Sequence, residues 1–268
     1  MALSPTLLGI PWDGYSSYQR GAAGGPAAIR AALRSESSND WNEDQMDVAA
    51  LLKDAGDVAF TALDDPIAAI EAGVAGLPAE VGPIILGGDH SITWPVIRAI
   101  RRRFPRLTIL HLDAHPDLYD SFDGDRRSHA CPFARVMEEG LCDRLIQLGI
   151  RTLNPHQRQQ AERFGVEMVQ MRQGLEAMRA RVATLTGPVY LSLDLDVLDP
   201  AFAPGLSHPE PGGLSTRELL GILHTIPRGT LIGADIVELN PVNDLRDLTA
   251  RVGAKCVKEV VGKLQIAD

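Results

Sequence analysis

Seven short runs of apolar and β-branched residues recur along the chain, at 6–11, 83–86, 107–112, 144–149, 166–169, 189–195 and 231–237. Each is too short for a helix and too uniformly apolar for a strand with one wet face, so each reads as a strand buried on both sides. Between them lie segments of helical length and period at 26–33, 65–76, 93–103, 132–139, 155–164, 216–225 and 245–264. Start signals support several of these. Pro26 and Pro155 suit a first helical turn, and Ser215 followed by Glu218 has the spacing of a capping box. A strand that is apolar on both faces needs cover on both faces, which right-handed crossovers supply. The expected fold is a three-layer α/β/α unit around a mainly parallel central sheet.

No internal repeat, low-complexity tract or linker interrupts this pattern, so 1–268 is expected to be a single domain. The polar stretch 35–47 and the charge-rich stretch 121–128 read as surface loops. A net charge of −9 argues against nucleic acid or an anionic membrane surface as a partner. The dense basic run, Arg101 to Arg103, falls at the end of a predicted helix, where cations suit the dipole. No apolar run approaches the roughly 18 residues of a membrane span. Cys131, Cys142 and Cys256 form no C-x-x-C pair and no even set, as expected of reduced thiols. Residues 1–15 show neither the basic stretch nor the long apolar core of a secretory signal. Together these features make the cytoplasm the expected location.

Three segments concentrate carboxylate and imidazole groups, each where a buried strand should end: Gly87-Gly88-Asp89-His90-Ser91, Asp113-Ala114-His115-Pro116-Asp117, and Asp194-Leu195-Asp196-Val197-Leu198-Asp199-Pro200. Carboxyl ends of parallel strands share one sheet edge, so segments far apart in sequence can converge there. If the backbone runs extended, Asp113, His115 and Asp117 share a face, as do Asp194 and Asp196, and Pro116 biases His115 that way. So many carboxylates at the end of an apolar strand repel one another unless cations stand among them. Mixed carboxylate and imidazole donors suit Mn²⁺ and other first-row divalent ions. Taken singly, each segment has a plainer reading. Asp113 and Asp117 could cap a helix, His90 could be a satisfied core histidine, and the third segment lacks the glycine turn and final Glu of a calcium loop.

In this order, G-G-D-H-S, D-A-H-x-D and S-x-D-x-D-x-x-D-P resemble the signature of the arginase/agmatinase (ureohydrolase) family. The likeness runs from Leu8 to the C-terminal helix. Around 113–135 and 199–213 it is similar above all to plant-type arginases, which are themselves nearer to agmatinases than to animal arginases. The resemblance implies two Mn²⁺ per chain, one held by His90, Asp113, Asp117 and Asp194, the other by His115, Asp113, Asp194 and Asp196. It implies that Glu238, in Val237-Glu238-Leu239-Asn240-Pro241, receives a guanidinium, and that His129, in Ser128-His129-Ala130, shuttles protons to the leaving amine. Asp117 would also hold a proton of the attacking water. Ala130 stands where the family often has Gly, a small departure. Asp199 is left as a turn residue before Pro200.

The reaction implied is hydrolysis of a small guanidino compound to urea and a primary amine, with L-arginine giving L-ornithine as the first choice and agmatine or guanidinobutyrate as the alternative. Arg126 and Arg127, in the loop before His129, could meet the α-carboxylate that only arginine carries; solvated loop charges are the plainer reading. Asn154 stands where animal arginases have an acidic residue for the α-amino group, and its amide oxygen could accept in that place. The family likeness also implies a homo-oligomer, a trimer or hexamer. Two other classes compete: a deacetylase-like amidohydrolase with one Zn²⁺, and a metal-stabilised protein without catalysis. Glu238 and the six-ligand set favour two ions and a guanidinium, and His129 favours catalysis.

Overall fold

The computed structural model describes residues 3–61 and 65–265; positions 1–2, 62–64 and 266–268 of the expected 1–268 unit lie outside the described residues. Eight strands form one sheet: β1 (Ser4–Ile10), β2 (Lys53–Asp57), β3 (Val81–Gly87), β4 (Thr108–Leu112), β5 (Arg144–Ile150), β6 (Glu167–Gln170), β7 (Val189–Asp194) and β8 (Leu231–Val237). Their order is β2-β1-β3-β8-β7-β4-β5-β6, and every pairing is parallel. Around it lie α1 (Gly25–Leu33), α2 (Val48–Leu51), α3 (Pro66–Ala75), α4 (Thr93–Arg103), α5 (Pro132–Glu138), α6 (Pro155–Phe164), α7 (Leu175–Val182), α8 (Thr216–Thr225) and α9 (Leu248–Val261).

Alternation along each strand divides the core in two. Leu7, Leu86 and Leu110 face a cluster that includes Ile29 of α1, Met178 of α7, Leu219 of α8 and Val257 of α9. Their neighbours Leu8, Ile85 and Ile109 face the opposite cluster, with Ile70 of α3, Ile97 of α4, Phe133 of α5 and Ala161 of α6. The sheet is therefore covered on both faces, as the apolar runs demand. The start signals hold: Pro26 and Pro155 lie in first turns, and the Ser215–Glu218 box forms reciprocally.

Three elements lack an apolar signature and escape a reading by pattern. In β2, Lys-Asp-Ala-Gly-Asp is exposed at every residue. As an edge strand it needs no apolar face, and charge protects such an edge. It is held by pairing with β1 and by Arg30 of α1, which grips Asp54 and Asp57. Helix α7 buries only Met178 and Val182, and α2 is a single turn.

What positions the site is the order of filling. The chain lays down β1 to β3 on one side, crosses to β4, β5 and β6 on the other, and returns with β7 and β8 to close the gap between β3 and β4. Four neighbouring strands, β3, β8, β7 and β4, thus end side by side at the centre of the sheet. Leu112 pairs with Leu193, and Asp194 with Val237, so Asp113, Asp194 and Glu238 emerge at one edge.

Candidate metal centre

The four strand ends turn in different ways, each set by local chemistry. After β3, a Cβ on Gly88 would stand 1.7 Å from the Trp12 carbonyl oxygen, so only glycine fits. Asp89 then accepts from Ser91 N at 3.0 Å and from Tyr15 N at 3.0 Å, closing a short turn that carries His90. After β4 and β7 the same device appears twice: Asp113 accepts from His115 N at 2.5 Å, and Asp194 from Asp196 N at 2.8 Å.

These turns correct the extended backbone expected of both segments. Residues 195–197 form a 3-10 turn, and Asp117 has φ of 51°. The carboxylates converge because the chain curls around their common centre. Glu238 is also left-handed, with φ of 67°, held by its N–H to the Gly88 carbonyl at 2.8 Å. Left-handed backbone costs a non-glycine residue energy, and its occurrence at two residues of one cluster is the kind of strain that marks functional sites.

His90 Nδ1 lies 3.1 Å from an oxygen of each of Asp113, Asp117 and Asp194, yet forms a hydrogen bond to none of them. An ion with ligands about 2.1 Å away spaces neighbouring donor atoms about 3.0–3.4 Å apart, so these distances fit the edges of a coordination shell. Beside it, His115 Nδ1 stands 2.8 Å from Asp196 and 3.5 Å from Asp113. Asp113, His115 and Asp196 offer ligand atoms within 4.8 Å of one another. The six residues named from the sequence are thus brought together, and their donors fit two divalent cations sharing Asp113.

Electrostatics point the same way. Burial and the neighbouring Asp196 and Asp113 charges drive Asp194 well above the carboxylate range, and burial with Asp113 lifts Asp196 to about 6. Burial disfavours a charged His115, but the Asp196 and Asp113 carboxylates outweigh it and push the imidazole up to about 12. The cluster draws in protons because it is built for more positive charge than its own side chains carry.

Two buried chains, invisible to the motif reading, fix the histidines. Ser192 Oγ donates to Asp235 Oδ1 at 2.6 Å, so it can only accept from His90 Nε2, 2.9 Å away. His90 Nε2 therefore carries the proton and Nδ1 presents a lone pair to the centre. On the other side, the Gln147 amide donates to the Pro116 carbonyl at 2.6 Å and to His111 Nδ1 at 3.0 Å. His111 is left to donate Nε2–H to Asp113 at 2.7 Å. The signal for Asp235 and His111 was their presence in strands otherwise apolar.

A cleft of about 170 Å³ opens onto the cluster, walled by Asp117, Asp194, Asp196 and Glu238 and by the imidazoles of His115, His129 and His208. Among the described residues no lysine or arginine lines it. Glu238 is 4% exposed. Its Oε1 accepts from His90 N at 2.8 Å and His129 Nδ1 at 3.0 Å, while Oε2 has no partner. Burial opposes its charge, but His129 beside it holds the carboxyl below its usual range. An ionised, buried carboxylate with a free oxygen at the cleft is chemically suited to receive a cation.

The loop arginines are not brought there. Arg126 is bound by Asp120 at 2.6 Å and Glu138 at 2.8 Å; Arg127 pairs with Asp125 at 3.3 Å and lies over the Tyr15 ring at 4.8 Å. Asn154 is spent on structure: its oxygen caps α6 by accepting from Gln157 N at 2.9 Å, and its amide donates to Tyr119, which does line the cleft. Asp199 serves its turn, accepting from Ala201 N at 3.0 Å and Gly212 N at 2.7 Å. Ser17 and His208 also line the cleft, although neither belongs to a motif, and His208 falls within 199–213.

The arginase family model matches residues 4–262. The mitochondrial arginase 1 of Arabidopsis thaliana is 43% identical over 279 residues, covering 97% of this chain and 81% of that protein. An agmatinase of Bacillus cereus is 33% identical over 262 residues, covering 95% of this chain and 90% of its own length. The solved arginase of Medicago truncatula superposes with a TM-score of 0.91 at 39% identity, over 98% of this chain and 88% of that one.

Proposed function

The chain belongs to the arginase family, and from that premise we propose that it hydrolyses L-arginine to L-ornithine and urea with two Mn²⁺ per chain. That it acts on guanidino C–N bonds follows from the family; arginine and manganese are the finer reading. The plant arginases among its relatives support arginine, and the mixed carboxylate and imidazole donors support Mn²⁺. The observation that carries the reading is the unpartnered Oε2 of buried Glu238 beside the carboxylate cluster.

In this reading His90, Asp113, Asp117 and Asp194 would hold one ion, and His115, Asp113, Asp194 and Asp196 the other. Divalent cations bound there would supply a water whose pKa is lowered towards neutrality. The rest falls to the side chains. Glu238 takes the planar guanidinium through charge-assisted hydrogen bonds and turns its central carbon towards the carboxylate cluster that lines the same cleft. Asp117 accepts a proton of the attacking water as the carbon–oxygen bond forms. His129 delivers a proton to the departing amine nitrogen as the carbon–nitrogen bond breaks, leaving urea. Its position supports this: Nδ1 is on Glu238 at 3.0 Å, and Nε2 on Ser17 Oγ at 2.9 Å.

One observation favours a second reading, agmatine or another guanidino compound without an α-carboxylate. Among the described residues the cleft has four acidic side chains and no lysine or arginine, and both loop arginines are already paired. Urea release from a panel of arginine, agmatine, guanidinobutyrate and guanidinopropionate, at one ionic strength, tests the proposal. Preference for arginine supports it; preference for agmatine turns it to the second reading. A protein that binds one Zn²⁺ and releases no urea from any of them defeats both.

A further inference from the structure

We propose that His129, His208 and Glu238 form a third divalent-cation site, separate from the carboxylate cluster, that takes a borderline ion such as Zn²⁺ and closes the cleft to substrate. A nitrogen of each imidazole and an oxygen of Glu238 lie within 4.8 Å of one another. The two rings are 4.6 Å apart, and both Nε2 atoms face the same hydroxyl, Ser17 Oγ, at 2.9 Å and 3.4 Å. That hydroxyl has one proton, so it can donate to only one of the two nitrogens.

Two atoms at this place are buried and unpartnered: Glu238 Oε2 and His208 Nδ1. The guanidinium receptor role accounts for the first but not for the second imidazole. None of the three residues belongs to the six-residue ligand set. Burial lowers the His208 pKa, whereas His129, which burial lowers but Glu238 raises to about 9, would have to release a proton to an incoming ion.

Donor chemistry selects the ion. Two imidazoles and one carboxylate form a Zn²⁺ set, with the fourth position left to water or to the Ser17 hydroxyl. A tetrahedral ion with ligands about 2.0–2.1 Å away needs donors about 3.3 Å apart, so donors lying within 4.8 Å of one another need draw in by no more than about 1.5 Å. All three line the same cleft. An ion here occupies the oxygen that would receive a guanidinium and the imidazole that would carry the proton. Inhibition is therefore competitive. Only that kinetic consequence rests on the arginase-type reading; the binding does not.

The test uses protein loaded with Mn²⁺ and equilibrated with Zn²⁺, its ions counted by elemental analysis, with Co²⁺ as an optical probe of a tetrahedral site. Wild type should hold two Mn²⁺ and one Zn²⁺ and give an intense visible Co²⁺ band. His208→Gln and His208→Asn, checked for wild-type melting and Mn²⁺ content, should lose the band and bind Zn²⁺ at least ~10-fold more weakly, the lower bound for disturbing even an outer partner of a metal. Zn²⁺ should inhibit urea release competitively in wild type and much less in either variant. If Zn²⁺ merely replaces Mn²⁺ with the total staying at two, or both variants bind the third ion as tightly as wild type, the site is not there. A third ion in a protein that releases no urea upholds the site and sinks the functional reading instead.

Discussion

Asp235, fully buried in the middle of β8, reaches His90 through a single hydroxyl: Ser192 Oγ lies 2.6 Å from the carboxylate and 2.9 Å from the imidazole. Thr93 Oγ1 adds a second bond to Asp235 at 3.0 Å. The carboxylate thereby sets which nitrogen of His90 is protonated, and so whether a lone pair faces the centre. Asp235→Asn and Ser192→Ala should each weaken one of the two ions by about 10–100-fold, the usual effect of outer partners on a metal site. Metal titration by calorimetry reads this directly. Two ions bound as tightly as in wild type would mean that His90 keeps its tautomer unaided.

Removing a ligand should separate shared from private positions. Asp113→Ala or Asp194→Ala should lose both ions, because each bridges in the proposed scheme, whereas His90→Ala should chiefly weaken one. Elemental analysis of the three variants decides it. A single ion in wild type, or full activity with zinc alone, would defeat the scheme.

Glu238→Gln keeps the volume and removes the charge that receives the guanidinium. Metal content should stay at the wild-type level while kcat/KM falls by about 10²–10³, as for loss of an oriented electrostatic group. Near-normal turnover in this variant places the receptor elsewhere.

His129→Ala should lower kcat by about 10²–10⁴. Its titration gives a further handle. Burial pulls the imidazole pKa down, but the Glu238 carboxylate, at 3.0 Å, outweighs this and holds it at about 9 in the metal-free protein. With the folded value raised, the stabilisation from this pair is fully present below the unfolded pKa near 6.5 and is lost as pH rises through about 9. Metal-free Glu238→Gln should therefore lose melting temperature relative to wild type near pH 6 and much less near pH 10. A difference that is the same at both pH values would show that the pair does not titrate as described.

The legible parts of this molecule were contiguous. His90, Asp113, His115, Asp117, Asp194 and Asp196 fall in three short segments after apolar runs, and parallel strands have only one place to bring such segments together. Their backbone was misread, because an Asx turn and a left-handed Asp117 reach the same convergence as an extended strand and leave no separate trace in residue type. Ser192 and Asp235 are single residues in different strands, and their meeting depends on β7 and β8 pairing in one register. The edge strand β2 has no apolar alternation because every one of its residues is exposed. His208 carries no signal of its own, because a lone histidine in a Pro- and Gly-rich loop has many ordinary explanations.

The loop arginines give the sharpest reversal. Adjacent guanidinium groups before His129 suggest a carboxylate reader, but Arg126 spends its charge on Asp120 and Glu138, and Arg127 on Asp125 and the Tyr15 ring. Neither lines the cleft. Reaching a substrate would require giving up these pairs; Asp120 and Glu138 would keep Arg135 as a counter-charge, but Asp125 would lose its partner Arg127. Replacing both arginines with Ala should thus leave the ratio of arginine to agmatine turnover unchanged. Exposed pairs of this kind are worth about 0–1 kcal/mol each, so the double variant should melt only slightly earlier, and high salt should shrink that difference. The measurement is kcat/KM for both substrates on wild type and double variant at two ionic strengths. A ratio that narrows mainly through slower arginine hydrolysis would show that the loop opens and that its arginines do meet the carboxylate.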